Sequence, residues 1–315
     1  MKPGIYPKMS FEQYLSLPAF SASLCSTLLD RCPAAAWADS YLNPNRTSHH
    51  SDATDLGTIA HGILLEGSME GVSVIDPYDH PAEKGGGIPL GWTNKSIRAA
   101  RDAARAEGKI PVLKSDMGGI NAMVASGRRF IETLREQEPA VWEAFQPDGG
   151  DSELTALWDD HGTLCRMRPD RISKDRRIII DLKTTARSAE PASWGRSQMI
   201  GMGYYLSAAL YRRGAESVWN TAPDYLFLVI ESEAPYLCSL VGVDPAGFAL
   251  GQAKIETALS LWSACIETDR WPGYPARAVY PEIPAWEQAR WQEREQQEIS
   301  EHGIEYDPQK LWGGV

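Results

Sequence analysis

No stretch of this 315-residue chain reaches the ~18 consecutive apolar residues that a membrane-spanning helix needs. The opening Met1-Lys2-Pro3-Gly4 likewise carries no apolar core of a secretory leader. The expected location is cytoplasmic, with no membrane partner. Cysteine is scarce: Cys25, Cys32, Cys165, Cys238 and Cys265 are scattered, form no even disulfide framework and read as reduced structural thiols. Positive charge is short as well. With 31 Lys and Arg against 42 Asp and Glu, the formal net charge is −11, which excludes an indiscriminate polyanion binder, since phosphate attraction comes from clustered cations. No internal repeat is evident. Apolar residues, at 43% of the chain and including eleven tryptophans, suffice for a substantial core in one large domain.

The most informative residues are Arg168-Pro169-Asp170 and, further on, Asp181-Leu182-Lys183 at the end of the apolar run Ile178-Ile179-Ile180. Alternate side chains of a strand point the same way, so Asp181 and Lys183 share one face and Ile180 and Leu182 the other. Ser173-Lys174-Asp175-Arg176 is polar and turn-like and suits a hairpin that brings Asp170 beside Asp181. Two acids and a lysine then converge. Carboxylate oxygens are hard donors suited to Mg²⁺, and a nearby ammonium can meet phosphate or an attacking water. A hairpin with merely solvated charges is the alternative. Three consecutive isoleucines favour a buried central strand over an exposed, alternating one.

A second element lies upstream. Leu56, Ile59, Ala60 and Ile63 recur at the spacing of one buried helical face, with His61 beside that face. Gly57, one turn before His61, leaves the helix surface bare, so a strand edge or a metal can approach closely. His61 is either a structural hydrogen-bonder or a further metal ligand, and the two carboxylates favour the ligand.

Gly57-Thr58-x-x-His61, Arg168-Pro169-Asp170 and Asp181-Leu182-Lys183 stand in the order found in RecE-type phage exonucleases, relatives of lambda exonuclease and the RecB nuclease domain within the PD-(D/E)XK superfamily. The chain resembles that family over most of its length. Phe20-Ser21-Ala22-Ser23-Leu24 with Cys32-Pro33-Ala34-Ala35 is similar to its first helix, Thr93-Asn94-Lys95 and the segment around Arg105 to its variable middle section, and Trp271-Pro272-Gly273-Tyr274 to its C-terminal segment. One departure stands out. Tyr211 matches the family tyrosine on the helix after the lysine strand, but Ser207 occupies the position where glutamine is usual.

The resemblance implies an α/β fold with a PD-(D/E)XK, restriction-endonuclease-like core: a central mixed sheet flanked by helices. It implies a 5′→3′ exodeoxyribonuclease acting on linear double-stranded DNA. The product would be a 3′ overhang for a single-strand annealing protein in phage-type recombination. Asp170, Asp181, the backbone carbonyl of Leu182 and His61 would hold Mg²⁺, with Mn²⁺ able to substitute. Lys183 would act on water and the transition state, and Glu153 on the preceding strand through a metal-bound water. Ser21, Ser23, Lys95, Arg98, Arg105, Arg168 and Tyr211 would contact DNA. No iron–sulfur cluster is expected, because no cysteine follows Cys265 to join Cys32. A homo-oligomeric ring, trimer or tetramer, would keep so acidic a chain on its substrate. Another PD-(D/E)XK enzyme, an endonuclease or a Cas4-like single-strand exonuclease, stays open, as does a non-catalytic DNA-binding module.

Residues 1–315 read as one nuclease domain with an N-terminal helical elaboration (about 1–150), a core (about 150–280) and a tail (285–315). Helices are expected over 10–42, 55–67, 94–108, 115–136, 194–211 and from Asp244-Pro245 to about 267. Strands are expected at 154–158 and 163–168, joined through Asp159-Asp160-His161-Gly162, and at 225–230 and 235–243. The stretch to about 93 reads as irregular, with Gly85-Gly86-Gly87 a loop. Lys84, Lys95, Arg98, Arg101, Arg105 and Lys109 either line a DNA channel or simply solvate an exposed helix. The segment 286–301, rich in Glu, Gln and Arg, reads as an exposed helix or a partly disordered arm.

Overall fold

The computed structural model describes residues 1–46, 52–81, 87–88 and 91–302. Lys84 and two glycines of the expected loop, Gly85 and Gly86, lie outside the described residues. Contacts divide the chain into Met1–Gly273 and Tyr274–Val315. The division falls earlier than the expected tail boundary.

The first unit is built on a five-stranded sheet of order β10-β9-β8-β7-β4. The strands are β4 (Gly150–Ser152), β7 (Arg171–Ser173), β8 (Ile178–Thr185), β9 (Asp224–Glu231) and β10 (Cys238–Gly242). β8 runs parallel to β9 and antiparallel to β7, so the sheet is mixed as expected. A second sheet, β1-β5-β6, combines β1 (Gly4–Tyr6) with the hairpin β5 (Thr155–Asp160) and β6 (Thr163–Met167). Its two-residue turn takes His161 and Gly162 into positive φ, 51° and 90°, the geometry that matches strand twist. β2 (Val72–Ile75) and β3 (Ile110–Leu113) form a parallel pair, both in stretches where no strand was expected.

Helices cover both faces of the five-stranded sheet. Ile180 and Leu182 of β8 pack with Ile59 and Ala60 of α4 (Asp52–His61) and with Ile120 and Met123 of α6 (Met117–Gln137). Ile179, one position out of phase, packs with Trp194 of α8 (Pro191–Trp194), with Ala208 of α9 (Tyr204–Trp219) and with Phe227. Full burial of each such side chain contributes about 1.5–3 kcal/mol, which pins the register that aims Asp181 and Lys183 together. α10 (Pro245–Thr268) opens as the sequence indicates, with the Asp244 carboxylate accepting from the Gly247 N–H at 2.7 Å.

The expected helix over 10–42 is three helices: α1 (Phe11–Ser16), α2 (Ala22–Asp30) and α3 (Pro33–Asp39). Leu17 and Cys32, each preceding a proline, are extended, because the proline ring disfavours the helical region for the residue before it. The span 194–211 is likewise broken before α9, where Gly203 takes φ 69°. α5 (Lys95–Ala106) forms as expected behind its Asn94 cap, and an unforeseen α7 (Pro139–Phe145) starts at a proline. In the second unit the described element is α11 (Ala285–His302), with Trp286 65% and Trp291 55% exposed. Among the described residues no helix is long and apolar enough to cross a membrane.

Candidate metal centre

Antiparallel pairing of β7 with β8 sets Arg171 against Ile180, so Asp170 and Asp181 face each other just beyond that pair. The turn between the strands is closed by the Ser173 hydroxyl, which accepts from the N–H groups of Arg177 at 3.1 Å and Ile178 at 3.0 Å. Asp170 Oδ2 accepts from the Leu182 N–H at 2.7 Å and lies 3.0 Å from His61 Nε2. His61 reaches this point from the C-terminal end of α4, before a π-helical turn over Gly62–Glu66. Gly57 lets that helix come in: a Cβ there would stand 2.8 Å from Thr184 Oγ1 of β8. Glu153, in the link between β4 and β5, places Oε1 3.5 Å from the same His61 nitrogen.

Ligating atoms of His61, Glu153 and Asp170 lie within 4.8 Å of one another. Two hard carboxylates and an imidazole in that span fit a divalent cation. Asp181 adjoins them through Asp170 while its own carboxylate is paired with Lys183. Glu153, the indirect ligand of the sequence reading, thus sits nearer the convergence than Asp181. Leu182, expected to ligate through its carbonyl, also braces Asp170 through its N–H.

These groups shift one another's protonation. Burial opposes the charged imidazole of His61, but Asp170, Glu153 and Asp181 outweigh it and raise the group to about 9. Burial lifts Asp181 to about 7 against the pull of Lys183, with Asp170 adding to the rise. Burial would raise Asp170 too, yet His61 and Lys183 hold it below the usual carboxylate range. The sign follows: relative to an unfolded chain, His61 retains a proton between 6.5 and about 9, and Asp181 between 3.8 and about 7. Stability from both is present at the acid end of each window and falls as pH rises through it. A cation bound by His61 requires the imidazole without that proton. Uptake of a divalent cation is therefore expected to release protons at pH 7, and less so once pH passes about 9. Calorimetric titration in two buffers of different ionisation heat checks this; equal heats at pH 7 would contradict the ligand set.

The cleft over these residues measures about 1060 Å³ and is lined also by Tyr14, Arg168, Tyr204 and Tyr211. Lys183 Nζ stands 5.1 Å from the ring centre of Tyr204. Tyr211 lines the cleft, whereas Ser207 does not.

Several of the residues expected at DNA have partners within the chain. The Arg168 guanidinium pairs with Glu153 and donates to Met9 O at 2.8 Å and Thr155 Oγ1 at 3.0 Å, so it is an internal tie. Ser21 is buried, caps α2 and shares a 3.0 Å hydrogen bond with Ser23. Arg105 pairs with Asp55 at 2.8 Å, Arg98 donates to Thr93 O at 3.1 Å, and Lys109 pairs with Glu107 at 2.9 Å. Lys95 is exposed at the start of α5. None of these α5 cations lines the cleft. The sequence reading missed Phe11, Tyr14 and Tyr204 as cleft residues; only the Ser10–Gln13 capping-box pattern signalled that a helix begins at Phe11.

A family model described as "PDDEXK-like domain of unknown function (DUF3799)" matches residues 21–281. Among solved structures, a crystal structure described as "Putative exonuclease" from Eubacterium rectale is similar with a TM-score of 0.55 and 11% identity, over 89% of this chain and 98% of that one. At that identity the likeness is one of fold. The crystal structure of SSO0001 covers 70% of this chain and 97% of its own at 12% identity, with a TM-score of only 0.25. No curated protein matches the chain.

Proposed function

The chain belongs to the family of the PDDEXK-like domain of unknown function, a member of the PD-(D/E)XK nuclease superfamily, and on that premise we propose that it is a Mg²⁺-dependent exodeoxyribonuclease that digests linear double-stranded DNA 5′→3′. The observation that carries the reading is the convergence of His61, Glu153 and Asp170 on one point beside Lys183 in an open cleft.

His61, Glu153 and Asp170 would hold the cation, with Asp181 alongside. Bound there, it supplies charge neutralisation at the scissile phosphodiester. Lys183, fixed by Asp181 and by the face of Tyr204, brings an ammonium to the phosphate oxygens on which charge accumulates. Arg168 keeps Glu153 turned toward the site, and the Leu182 N–H does the same for Asp170. Each of these supports is a short bond to a strand or its flanking link, so the donors need little reorganisation when substrate arrives.

The 5′→3′ direction, a single-strand annealing partner for the 3′ overhang and a ring of three or four copies come from the RecE resemblance. A closed ring would suit the net charge of −11 by holding the substrate topologically.

The reading is tested with Mg²⁺ and duplexes labelled at the 5′ or 3′ end, beside a closed circle of the same sequence. The expected result is early release of 5′ label as mononucleotide, late loss of 3′ label and an intact circle. A cut circle would make the protein an endonuclease, digestion confined to single strands a Cas4-like enzyme, and no cleavage at all a binding module.

A further inference from the structure

Phe11 is 59% exposed and lines the cleft that holds His61, Asp170 and Lys183. Behind it stands Tyr14, one helical turn on, with ring centres 6.4 Å apart and planes inclined by only 23°. Tyr14 is itself immobilised. The Arg166 guanidinium lies 4.7 Å from its ring centre and that of Arg168 5.8 Å. The same two arginines clamp α1 at both ends. Arg168 donates to Met9 O before the helix, and Arg166 donates to Leu15 O and Leu17 O, each at 3.2 Å, where it finishes. The Ser10–Gln13 capping box fixes the first turn, with reciprocal bonds of 3.1 and 3.0 Å. A six-residue helix that could barely exist alone is thus locked to the core and presents one bare aromatic ring to the cleft.

The charge of the cleft explains what such a ring is for. Among the described residues its cationic side chains besides His61 are Arg168 and Lys183, paired with Glu153 and Asp181, while Glu66 and Glu70 add further carboxylates to the wall. Away from the phosphate held by the cation and Lys183, the side chains of the wall attract phosphate weakly, and a nucleic-acid strand gains from another source of adhesion. Every base has a π-face, so aromatic stacking serves without regard to sequence, and a pre-ordered ring costs little entropy to use.

We infer that Phe11 is a stacking platform for a nucleobase of the strand whose backbone occupies the cleft, an inference that rests on the nuclease reading above. The test is the steady-state digestion of linear duplexes that are intact or carry an abasic residue at each of the first several positions from the end in turn. Phe11→Ala is expected to raise KM about 10- to 100-fold on intact DNA, with kcat changed by no more than about twofold. For the unmodified protein, one abasic position should impose the same penalty, and Phe11→Ala should be insensitive to it. Phe11→Trp should restore KM. Wild-type KM in Phe11→Ala, or an abasic penalty that adds in full to that of Phe11→Ala, overturns the platform while leaving the nuclease reading intact. An unmodified protein that digests no DNA overturns both.

Discussion

Asp170→Ala is expected to lower Mg²⁺-dependent digestion by about 10³-fold or more while leaving the circular dichroism spectrum of the folded protein unchanged. Asp170 is the hub of the cluster: its carboxylate meets His61 and the Leu182 N–H and adjoins Asp181. Its loss removes one of three convergent donors and the negative charge that balances the other groups, a defect worth several kcal/mol at the transition state. The strands should survive, since Ile172 and Ile179, paired with each other across β7 and β8, remain fully buried. His61→Ala provides the contrast. With both carboxylates retained, it should act by raising the Mg²⁺ concentration needed for half-maximal rate. Undiminished digestion by folded Asp170→Ala would remove the proposed site altogether.

Lys183→Ala is expected to lower kcat by about 10²- to 10³-fold with little change in KM, because a charge aimed at the phosphate gains most as negative charge develops. Lys183 is three-quarters shielded by Asp181 and the ring of Tyr204, so its ammonium is held in place and not swung in from solvent. Arginine should not rescue it. A planar guanidinium is too wide for a position between a carboxylate and an aromatic face that fits a compact ammonium. Single-turnover digestion at saturating DNA and Mg²⁺ separates this from a binding defect, and a loss seen wholly in KM would reassign Lys183 to holding DNA.

The hairpin that opposes Asp170 and Asp181 was legible because strand alternation and a polar turn leave few other pairings for those residues. The mixed sheet came from the family resemblance, and the two apolar strands read from the sequence, Ile178–Ile180 and the run around Phe227, pair in parallel within it. The side chains that turn inward were not legible. Arg168 carries the same charge whether it points at a phosphate or at Glu153, and only the fold places Met9 and Thr155 where its remaining donors find acceptors. The pairing of Arg105 with Asp55 was hidden for the same reason, since that partner lies far off in sequence. The short strands β2 and β3 escaped because neither alternates clearly, and each exists only through the other. Phe11 escaped because one phenylalanine at the start of a helix has no periodicity to betray what it faces.

The order in which the ribosome delivers the chain has a bearing on where this centre can exist. His61 emerges early, Glu153 and Asp170 much later, and Lys183 last. Even then β8 is an open edge until β9, on its far side in the sheet, has been translated. A product that stops short of β9 lacks the strand that covers one side of β8, so the donors and the ammonium have their full support only once β9 has been made. Because the centre is distributed over distant segments, its assembly is timed by synthesis itself.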